Sequence, residues 1–325
     1  MKSTSNATTL VGYSRALLDL SSEEEAQVKT NINEICYIYE DITGNSGRNT
    51  ESEYVTNVPT AVGVSLSFNH AASCITDYKR THKLLKGIVQ AIRDKQEENP
   101  GETIQVFYAG CGPFALFMTI VAPLFDPKEV QFTLLEVNKK SIEVAKNVVA
   151  KLELESYLNE CYTADAIMFD VPNPEKYHIL FSETLDSLLN RECYVPILWN
   201  LLPQFNEDIA VIPENVQITV NYKKGEEEVP FVTAFDTREV LKETPKTDLL
   251  PQSFEIKSFS LKDAPKYDSI VLDTLVTIYK DYKLYRSESS ISLALEVPIK
   301  KPVEHEFVEF VYQLKPTPAF QIGVK

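Results

Sequence analysis

Hydrophobic residues recur with two different spacings along this chain, and the spacing changes near residue 215. Between residues 104 and 212, short apolar runs alternate with segments whose apolar residues have helical spacing. The pattern predicts strands at 104–109, 131–136, 160–163, 178–182 and 208–212, and helices at 113–125, 140–151 and 190–202. Because strands that alternate with helices form parallel sheets covered on both faces, we expect an α/β fold here.

The region before the first strand is predicted to be mainly helical. After a polar start, one helix runs from about residue 21 to Asp41, and a second, amphipathic helix runs from about His70 to Lys95. Residues 43–56 are rich in Gly, Asn, Ser and Glu, so we expect a mobile loop between the two helices.

Beyond residue 215, apolar and polar residues alternate one by one. This pattern predicts antiparallel strands in four segments, at 216–220, 254–259, 291–297 and 307–312. The polar segment 236–252 is interpreted as an excursion from this β region. The predicted organisation is an N-terminal helical segment with a mobile loop (1–69), an α/β domain (70–214) and a β-rich domain (215–325).

Composition narrows the set of partners. The 325 residues carry a net charge of −15, from 47 acidic and 32 basic residues, without a cluster of Lys or Arg. Such a chain repels a phosphate backbone, so we expect no nucleic-acid partner, whereas a cationic substrate is attracted. The alternative is that the acidity only keeps the protein soluble.

Cysteine and histidine usage bears on the cellular compartment. Five scattered cysteines and four histidines include no Cys-x-x-Cys pair, which argues against a disulfide framework and against a structural metal site. The N-terminus lacks an apolar stretch of signal-peptide length, and no apolar run approaches the ~20 residues of a membrane span. We therefore expect a cytoplasmic protein without a membrane or metal partner.

A Gly-x-Gly turn follows the first predicted strand of the α/β region. Gly110-Cys111-Gly112 lacks side chains where a ligand can approach the backbone and the N-terminus of the next helix. The third glycine of the dinucleotide fingerprint is absent, because Phe114-Ala115 occupies its place, and this disfavours a dehydrogenase. The alternative is an ordinary tight connection between a strand and a helix.

The next two strands also end in carboxylates. Glu136 closes the second strand, where an acidic side chain can accept the ribose hydroxyls of an adenosine-containing cofactor. Asp165-Ala166 follows the third strand, where the aspartate can accept a hydrogen bond from an exocyclic amine such as that of adenine. The alternatives are a solvated strand-end carboxylate for Glu136 and a helix N-cap for Asp165.

Two glutamates flank the loop after the fourth strand. Glu183 is the last residue of that strand, and a second glutamate, Glu192, follows nine positions later at the start of a helix. Two carboxylates held by one short loop can grip a guanidinium through parallel charge-assisted hydrogen bonds. The alternative for Glu192 is an acidic side chain that complements the helix dipole.

These residues resemble those of a known family. Ser182-Glu183 and Glu192, with Asp186 between them, resemble the double-glutamate loop of protein arginine methyltransferases, and Asp77-Tyr-Lys-Arg80-Thr81 resembles the family's Asp-x-x-Arg-Thr helix. The resemblance covers roughly residues 70–325. It implies that Arg80 pairs with the carboxylate of S-adenosylmethionine, whereas the alternative is a surface ion pair.

The resemblance implies a complete set of expectations. The fold is an S-adenosylmethionine-binding Rossmann-like domain with a C-terminal antiparallel β-barrel-like domain, and the protein forms a homodimer through an arm for which 236–252 is a candidate. The activity is N-methylation of a guanidinium on a protein or peptide. The catalytic residues are Glu183, Glu192 and Asp186, and the residues that bind the cofactor are Arg80, Tyr108, Gly110, Cys111, Gly112, Glu136, Asp165 and Ala166.

The chain also departs from the family at several positions. Tyr108 replaces the acidic residue of the first strand, Pro113-Phe114 replaces Thr-Gly, and the β region lacks a Thr-His-Trp loop. Two alternatives follow. One is a methyltransferase of the same fold that acts on a small metabolite or a biosynthetic peptide. The other is a non-catalytic binding or scaffold protein.

Overall fold

The computed structural model describes residues 2–45, 47–244 and 250–325. Its helices are α1 (Lys2–Asp19), α2 (Glu25–Thr43), α3 (Ser52–Val55), α4 (Phe68–Ser73), α5 (Tyr78–Glu98), α6 (Leu116–Val121), α7 (Lys139–Lys151), α8 (Tyr194–Leu201) and α9 (Thr237–Glu243). Its strands are β1 (Val58–Pro59), β2 (Val64–Ser65), β3 (Ile104–Ala109), β4 (Val130–Glu136), β5 (Leu158–Thr163), β6 (Ile179–Ser182), β7 (Ala210–Ile212), β8 (Asn215–Lys224), β9 (Glu227–Asp236), β10 (Ser253–Ser260), β11 (Ser269–Tyr279), β12 (Tyr282–Leu284), β13 (Leu295–Pro298), β14 (Phe307–Gln313) and β15 (Ala319–Val324).

A five-stranded parallel sheet forms the centre of the α/β region. Its strand order is β5-β4-β3-β6-β7, so the order reverses between β3 and β6. Strands β3, β4 and β6 are almost entirely buried, as expected for apolar runs covered on both faces. The sequence therefore predicted all five strands of this sheet to within three residues at each end.

Helix α5 connects the three parts of the chain. Its apolar face, with Leu84, Leu85 and Ile88 fully buried, contacts the N-terminal helices on one side and strands β11 and β12 on the other. Gly87 permits this close approach, because a Cβ atom at that position would lie 2.6 Å from Cγ2 of Ile278. Packing on this helix holds the N-terminal and C-terminal segments against the α/β core.

The C-terminal region consists of two antiparallel sheets. One has the order β12-β11-β8-β9, with β13 also paired to β11, and the other has the order β10-β14-β15. Residues of β8 alternate between buried and half-buried positions, as the sequence pattern predicts for a strand with one face on a core. The predicted fold class, a Rossmann-like α/β domain followed by antiparallel β structure, is confirmed.

The helix predicted from His70 to Lys95 is wrong in its first part. The chain forms α4, a 3-10 turn at Cys74–Thr76 and then α5. The helix is interrupted at Asp77, whose φ of −77° and ψ of 80° are not helical, and Thr81 Oγ1 donates to the carbonyl of Ile75 across the break.

Four further expectations need correction or stay open. The N-terminal segment is not merely polar, because α1 buries Leu10 and Leu17. The strand predicted at 291–297 begins only at Leu295, because residues before it form a capped 3-10 turn. In segment 236–252, α9 is described but residues 245–249 lie outside the described residues. The domain limits of 1–69, 70–214 and 215–325 stay a prediction.

No described helix is both long and apolar enough to cross a membrane.

Candidate functional site

The candidate site lies at the point where the strand order of the parallel sheet reverses. Ala109 at the end of β3 is paired with Leu135 of β4 and with Ser182 of β6. Gly110, Glu136 and Glu183 therefore leave three neighbouring strands at the same edge. Ligands of open α/β sheets bind in the crevice at such a switch point, so topology alone selects this edge.

The turn after β3 has a left-handed backbone at both glycines. Gly110 has φ 76° and Gly112 has φ 66°, a region that side-chain-bearing residues rarely adopt. A Cβ atom at Gly110 would lie 2.5 Å from Cγ2 of Thr184, whereas one at Gly112 would meet nothing within 4 Å. The first glycine is thus required by packing, and the second leaves an open cradle beside the backbone.

Glu136 is buried beside this cradle. Its Oε2 accepts from the backbone N–H of Gly112 at 2.9 Å, and its Oε1 accepts from that of Asn138 at 2.9 Å. Burial raises the pKa of the Glu136 carboxyl, and the two N–H groups offset part of that effect. A carboxylate has about four acceptor positions. Glu136 therefore keeps acceptor capacity for further donors while its orientation is fixed.

The bulky residues that replace the family's pattern are packed into the core. The Phe114 ring stacks on Tyr39 of α2 with centroids 4.6 Å apart, and the Tyr108 ring packs on Phe181 at 4.4 Å. Both side chains also line the cavity at the turn. The N-terminal helices thus accommodate the ring of Phe114, a packing partnership that the residue type alone did not reveal.

Arg80 in the first turn of α5 is buried and not part of a surface ion pair. It is 4% exposed, and its Nη1 donates to Glu183 Oε1 at 3.2 Å. Its Nη2 donates at 2.8 Å to the carbonyl of Cys74, which belongs to the break between α4 and α5. The helix break therefore supplies an acceptor that orients the guanidinium toward β6.

The two glutamates of the predicted clamp differ in their partners. Burial raises the pKa of Glu183 to about 7, while Arg80 opposes the shift. For Glu192, burial and the Glu183 carboxylate raise the pKa well above its ordinary value. In the described part of the chain, the Glu192 carboxylate accepts no hydrogen bond and forms no ion pair. An unpartnered carboxyl group in a cavity favours a cationic or hydrogen-bond-donating ligand.

Asp186 has a different environment from the two glutamates. Its Oδ1 accepts from the N–H of Ser187 at 2.8 Å, and its Oδ2 pairs with Arg191, whose Nε lies at 2.7 Å. Asp186 lines neither cavity of the site. In this structure it holds the loop between Glu183 and Glu192.

A short hairpin, formed by β1 and β2, covers the site beside Asp165. Asp165 Oδ2 accepts from the backbone N–H of Ala61 at 2.6 Å, and its Oδ1 accepts from that of Ile167 at 2.9 Å. The Cys193 thiol donates to the carbonyl of Val62 at 3.0 Å. Asp165, which was predicted to accept a hydrogen bond from the adenine amine, thus accepts one from the backbone of the hairpin instead.

Ten of the eleven predicted site residues line two neighbouring cavities. The first, of about 80 Å³, is lined by Arg80, Tyr108, Gly110, Cys111, Gly112, Glu136, Glu183 and Glu192. The second, of about 40 Å³, is lined by Asp165 and Ala166 and shares Gly110, Glu136 and Glu192 with the first. The structure therefore brings these residues together, although they come from five separate segments.

Sequence reasoning missed a contact that joins the C-terminal region to the site. Asp77, the first residue of the Asp-x-x-Arg-Thr segment, accepts from Ser289 Oγ at 2.7 Å and from the N–H and Oγ of Ser290, both at 2.8 Å. We call these three residues the Asp77 clasp. The three serines at 287, 289 and 290 were the available signal, because hydroxyl-rich loops are typical hydrogen-bond partners of carboxylates.

The thiols around the site are not activated. Burial raises the pKa of Cys74 and raises that of Cys193 to about 11. The pKa of Cys111 is raised well above its ordinary value, again by burial. Because the thiolate is the reactive form, the site is suited to binding and orientation rather than to cysteine nucleophilic catalysis.

Comparisons with known proteins agree with this fold. No protein-family model matches the sequence, and no curated protein matches it. The crystal structure of PRMT6-SAH matches 76% of this chain and 99% of its own with a TM-score of 0.50 at 14% identity. Protein arginine methyltransferase 10 of Arabidopsis thaliana matches 78% of this chain and 96% of its own, with a TM-score of 0.49 at 10% identity. The likeness to the first of these structures shows a shared fold.

Proposed function

We propose that this protein is an S-adenosylmethionine-dependent N-methyltransferase that methylates the guanidinium of an arginine in a protein or peptide. One observation carries the proposal. Glu183 and Glu192, two partly buried carboxyl groups, line one cavity with the Gly110–Gly112 turn at the switch point of the sheet. Both carboxyls have raised pKa values, and strongly shifted groups in a cleft are typical of functional sites.

The residues of the cavity fit the cofactor. Gly112 offers an open cradle, Glu136 has acceptor capacity for ribose hydroxyls, and Arg80 has guanidinium donors beyond the two that it uses. We propose that Asp165, Ala166 and Cys111 complete the adenosine side, and Tyr108 lines the same cavity as the turn and Glu136. S-adenosylhomocysteine, named in the PRMT6-SAH structure, is the product of this cofactor. When bound, S-adenosylmethionine supplies an electrophilic methyl group on a sulfonium.

Glu183 and Glu192 form the proposed acceptor side of the site, where the methyl acceptor binds. Glu183 and Glu192 hold a guanidinium by charge-assisted hydrogen bonds, which localise its positive charge on two nitrogens and leave the third more nucleophilic. Their raised pKa values also suit them to accept the proton that this nitrogen loses. Asp186 acts indirectly by holding their loop through Arg191. Orientation and exclusion of water supply the rest of the rate enhancement.

A small acceptor is the second candidate. The lack of a Thr-His-Trp loop in the β region supports it. Cavities of about 80 and 40 Å³ are well below the roughly 300–1,000 Å³ of typical ligand pockets, so the site has to open, for instance by movement of the hairpin, for the cofactor as well as for any acceptor. The acceptor preference in a methyl-transfer assay separates the two candidates.

Calorimetric titration with S-adenosylmethionine and S-adenosylhomocysteine tests the cofactor assignment. We expect one site per chain, with affinity reduced about tenfold or more in Glu136→Ala, because the ribose hydroxyls lose a charged acceptor. Glu175→Ala, an exposed carboxylate away from both cavities, is the matched control. Absence of binding by the folded wild-type protein would exclude every methyltransferase assignment and favour a scaffold role.

The remaining expectations are part of the same proposal. We propose a cytoplasmic homodimer with a cationic substrate and without nucleic-acid or metal partners; the net charge of −15 supports the cationic substrate and the lack of a nucleic-acid partner. Sedimentation velocity tests the dimer, and a monomer at micromolar concentration would contradict it.

A further inference from the structure

A basic cavity of about 420 Å³ lies between helix α5 and the hairpin formed by β11 and β12. It is lined by Lys83 and Lys86 of the helix and by Lys280 and Lys283 of the hairpin, and we call it the lysine cavity. Its volume falls within the roughly 300–1,000 Å³ of typical ligand pockets. None of its lining residues belongs to either cavity of the candidate site, so the lysine cavity is a separate concave surface.

The sequence brings these lysines together from two elements. On α5, Lys79, Lys83 and Lys86 follow one another at spacings of four and three residues, so they share one face of the helix. Lys280 lies in the two-residue turn between β11 and β12, and Lys283 lies in β12. Because α5 contacts both strands, the two pairs of lysines surround one cavity. Like charges at such helical spacings are destabilising on their own.

The charge of the lysine cavity is opposite to that of the chain. Its lining contains four lysines and one acidic residue, Asp281, whereas the whole chain has a net charge of −15. A concave surface lined by one sign of charge raises the local concentration of ligands of the opposite sign. The lysine cavity therefore attracts anions, although the molecule as a whole repels them.

Two of the four ammonium groups already have carboxylate partners. Lys83 pairs with Glu288 at 2.7 Å, and Lys280 pairs with Asp94. The Lys83 side chain is only 13% exposed, and its Nζ also donates to the carbonyl of Lys283 at 2.8 Å. These two lysines fix the shape of the cavity but add little net charge to it.

The other two lysines supply the net positive charge. Lys86 Nζ donates to the carbonyl of Leu20, which is an uncharged acceptor. Within the described ranges 2–45, 47–244 and 250–325, neither Lys86 nor Lys283 forms an ion pair, and both side chains are half-buried. Since an ammonium group has three donors, an anion that bridges Lys86 and Lys283 meets two unneutralised charges with donors to spare.

The lining favours a small anion with more than one negative charge. Lysine ammonium groups act as point charges and commonly bind phosphate. Gln90 and the hydroxyl groups of Tyr282 and Tyr285 add further hydrogen-bond donors to the same cavity. A long polyanion such as a nucleic acid extends beyond the cavity, where the net charge of −15 repels it.

We propose that the lysine cavity binds a small anion that carries two or more negative charges on phosphate groups. The anion lies between Lys86 and Lys283, held by α5 on one side and by the β11–β12 hairpin on the other. This inference does not depend on the proposed function, because the two sites share no residue.

Calorimetric titration with inorganic tripolyphosphate at constant ionic strength tests the proposal. Lys283→Glu reverses one unpaired charge of the cavity, whereas Lys283→Arg keeps that charge. Lys262→Glu, at an exposed lysine outside the cavity, makes the same change in net charge and is the matched control. Thermal denaturation verifies that each variant is folded.

We expect one site per wild-type chain and an affinity about tenfold or more lower in Lys283→Glu, because a charge in contact with the anion outweighs distant ones. Lys283→Arg and Lys262→Glu should change the affinity by less than about threefold. Absence of binding by wild type, undiminished binding by folded Lys283→Glu, or equal losses in Lys283→Glu and Lys262→Glu would each overturn the proposal.

Discussion

The two halves of the candidate site differ in how their carboxylates are satisfied. On the proposed cofactor side, Glu136 accepts two backbone N–H groups and Asp165 accepts two more. On the proposed acceptor side, Glu183 has one partner, Arg80, and Glu192 has none in the described part of the chain. The first half is held by backbone hydrogen bonds, and the second keeps its carboxyl groups available.

The donors around these carboxyls have different consequences in the two halves. Backbone N–H groups fix the orientation of Glu136 and offset part of the rise that burial causes in its pKa. Within the described residues, Glu183 and Glu192 accept no backbone N–H group, and burial raises the pKa of both. Because a cationic ligand would offset this cost, we propose that the chemistry takes place on the acceptor side.

The largest predicted effect comes from removing charge on the acceptor side. We expect Glu183→Gln and Glu192→Gln each to lower kcat/KM for an arginine peptide by roughly 100-fold or more, because the developing charge on the guanidinium loses its partner. Binding of S-adenosylhomocysteine should change less than threefold. Full activity of Glu192→Gln in a radiolabel transfer assay would contradict the clamp.

The paired glycines of the turn give the next largest effect, now on stability. Gly110→Ala adds a clash with Thr184 to a backbone of φ 76°, whereas Gly112→Ala, at φ 66°, meets open space. We expect losses of about 2–3 and about 1 kcal/mol in the free energy of unfolding, respectively. Urea denaturation measures both.

A double variant checks the cause of that difference. Thr184→Ser removes the clashing methyl group but keeps the hydroxyl that lies 3.2 Å from Ser182 Oγ. It should restore part of the stability lost in Gly110→Ala. Without such recovery, contact with Thr184 is not the reason for glycine at position 110.

The hairpin over Asp165 should respond to the cofactor. The Ala61 N–H donates to Asp165 Oδ2 in this structure, and we propose that the cofactor amine takes over this acceptor position and releases the hairpin. We expect hydrogen exchange at Ala61 to become at least tenfold faster with S-adenosylhomocysteine, with amides of β3 as the unchanged control. Continued protection at Ala61 in the complex would show that the amine does not replace this hydrogen bond.

The smallest predicted effect is a pH dependence on the acceptor side. The pKa of Glu183 is raised to about 7, so the carboxyl is ionised above that pH and binds a cation best there. We expect kcat/KM for an arginine peptide to rise severalfold between about pH 6 and about pH 8, because kcat/KM reports the free enzyme. Glu183→Gln should flatten the residual profile.

The raised pKa of Glu183 also predicts that the free energy of unfolding changes with pH in the opposite direction to kcat/KM. A carboxyl whose folded pKa exceeds its ordinary value of 4.5 favours the protonated folded state, so stability falls as pH rises from 4.5 to about 7. Glu183→Gln should reduce this slope in thermal denaturation, and the remaining slope is expected from Glu136 and Glu192, whose pKa values are also raised. A slope that is unchanged in the variant would assign it entirely to other groups.

The residues at the ends of the parallel strands were predictable from sequence on both sides of the site. Hydrophobic periodicity located β3, β4 and β6, and the ends of parallel strands necessarily meet at one edge, so Gly110, Glu136 and Glu183 were predicted together. These inferences depend on local patterns and on the topology of one sheet.

The parts that sequence did not predict depend on contacts between distant segments. The hairpin at 58–65 is held by Asp165, Cys193 and Pro316, and none of these contacts leaves a local pattern. The Asp77 clasp likewise joins residues more than 200 positions apart. The break before α5 was missed because helical spacing of apolar residues continues through it, and the non-helical backbone at Asp77 leaves no signal in that spacing.

Tandem mass spectrometry of arginine peptides after incubation with the protein and S-adenosylmethionine tests the central claim most directly. The account predicts a methyl group on a guanidino nitrogen, in an amount that Glu192→Gln strongly reduces. A methyl group on any other atom, or no methylation of any arginine peptide by protein that binds the cofactor, would contradict it.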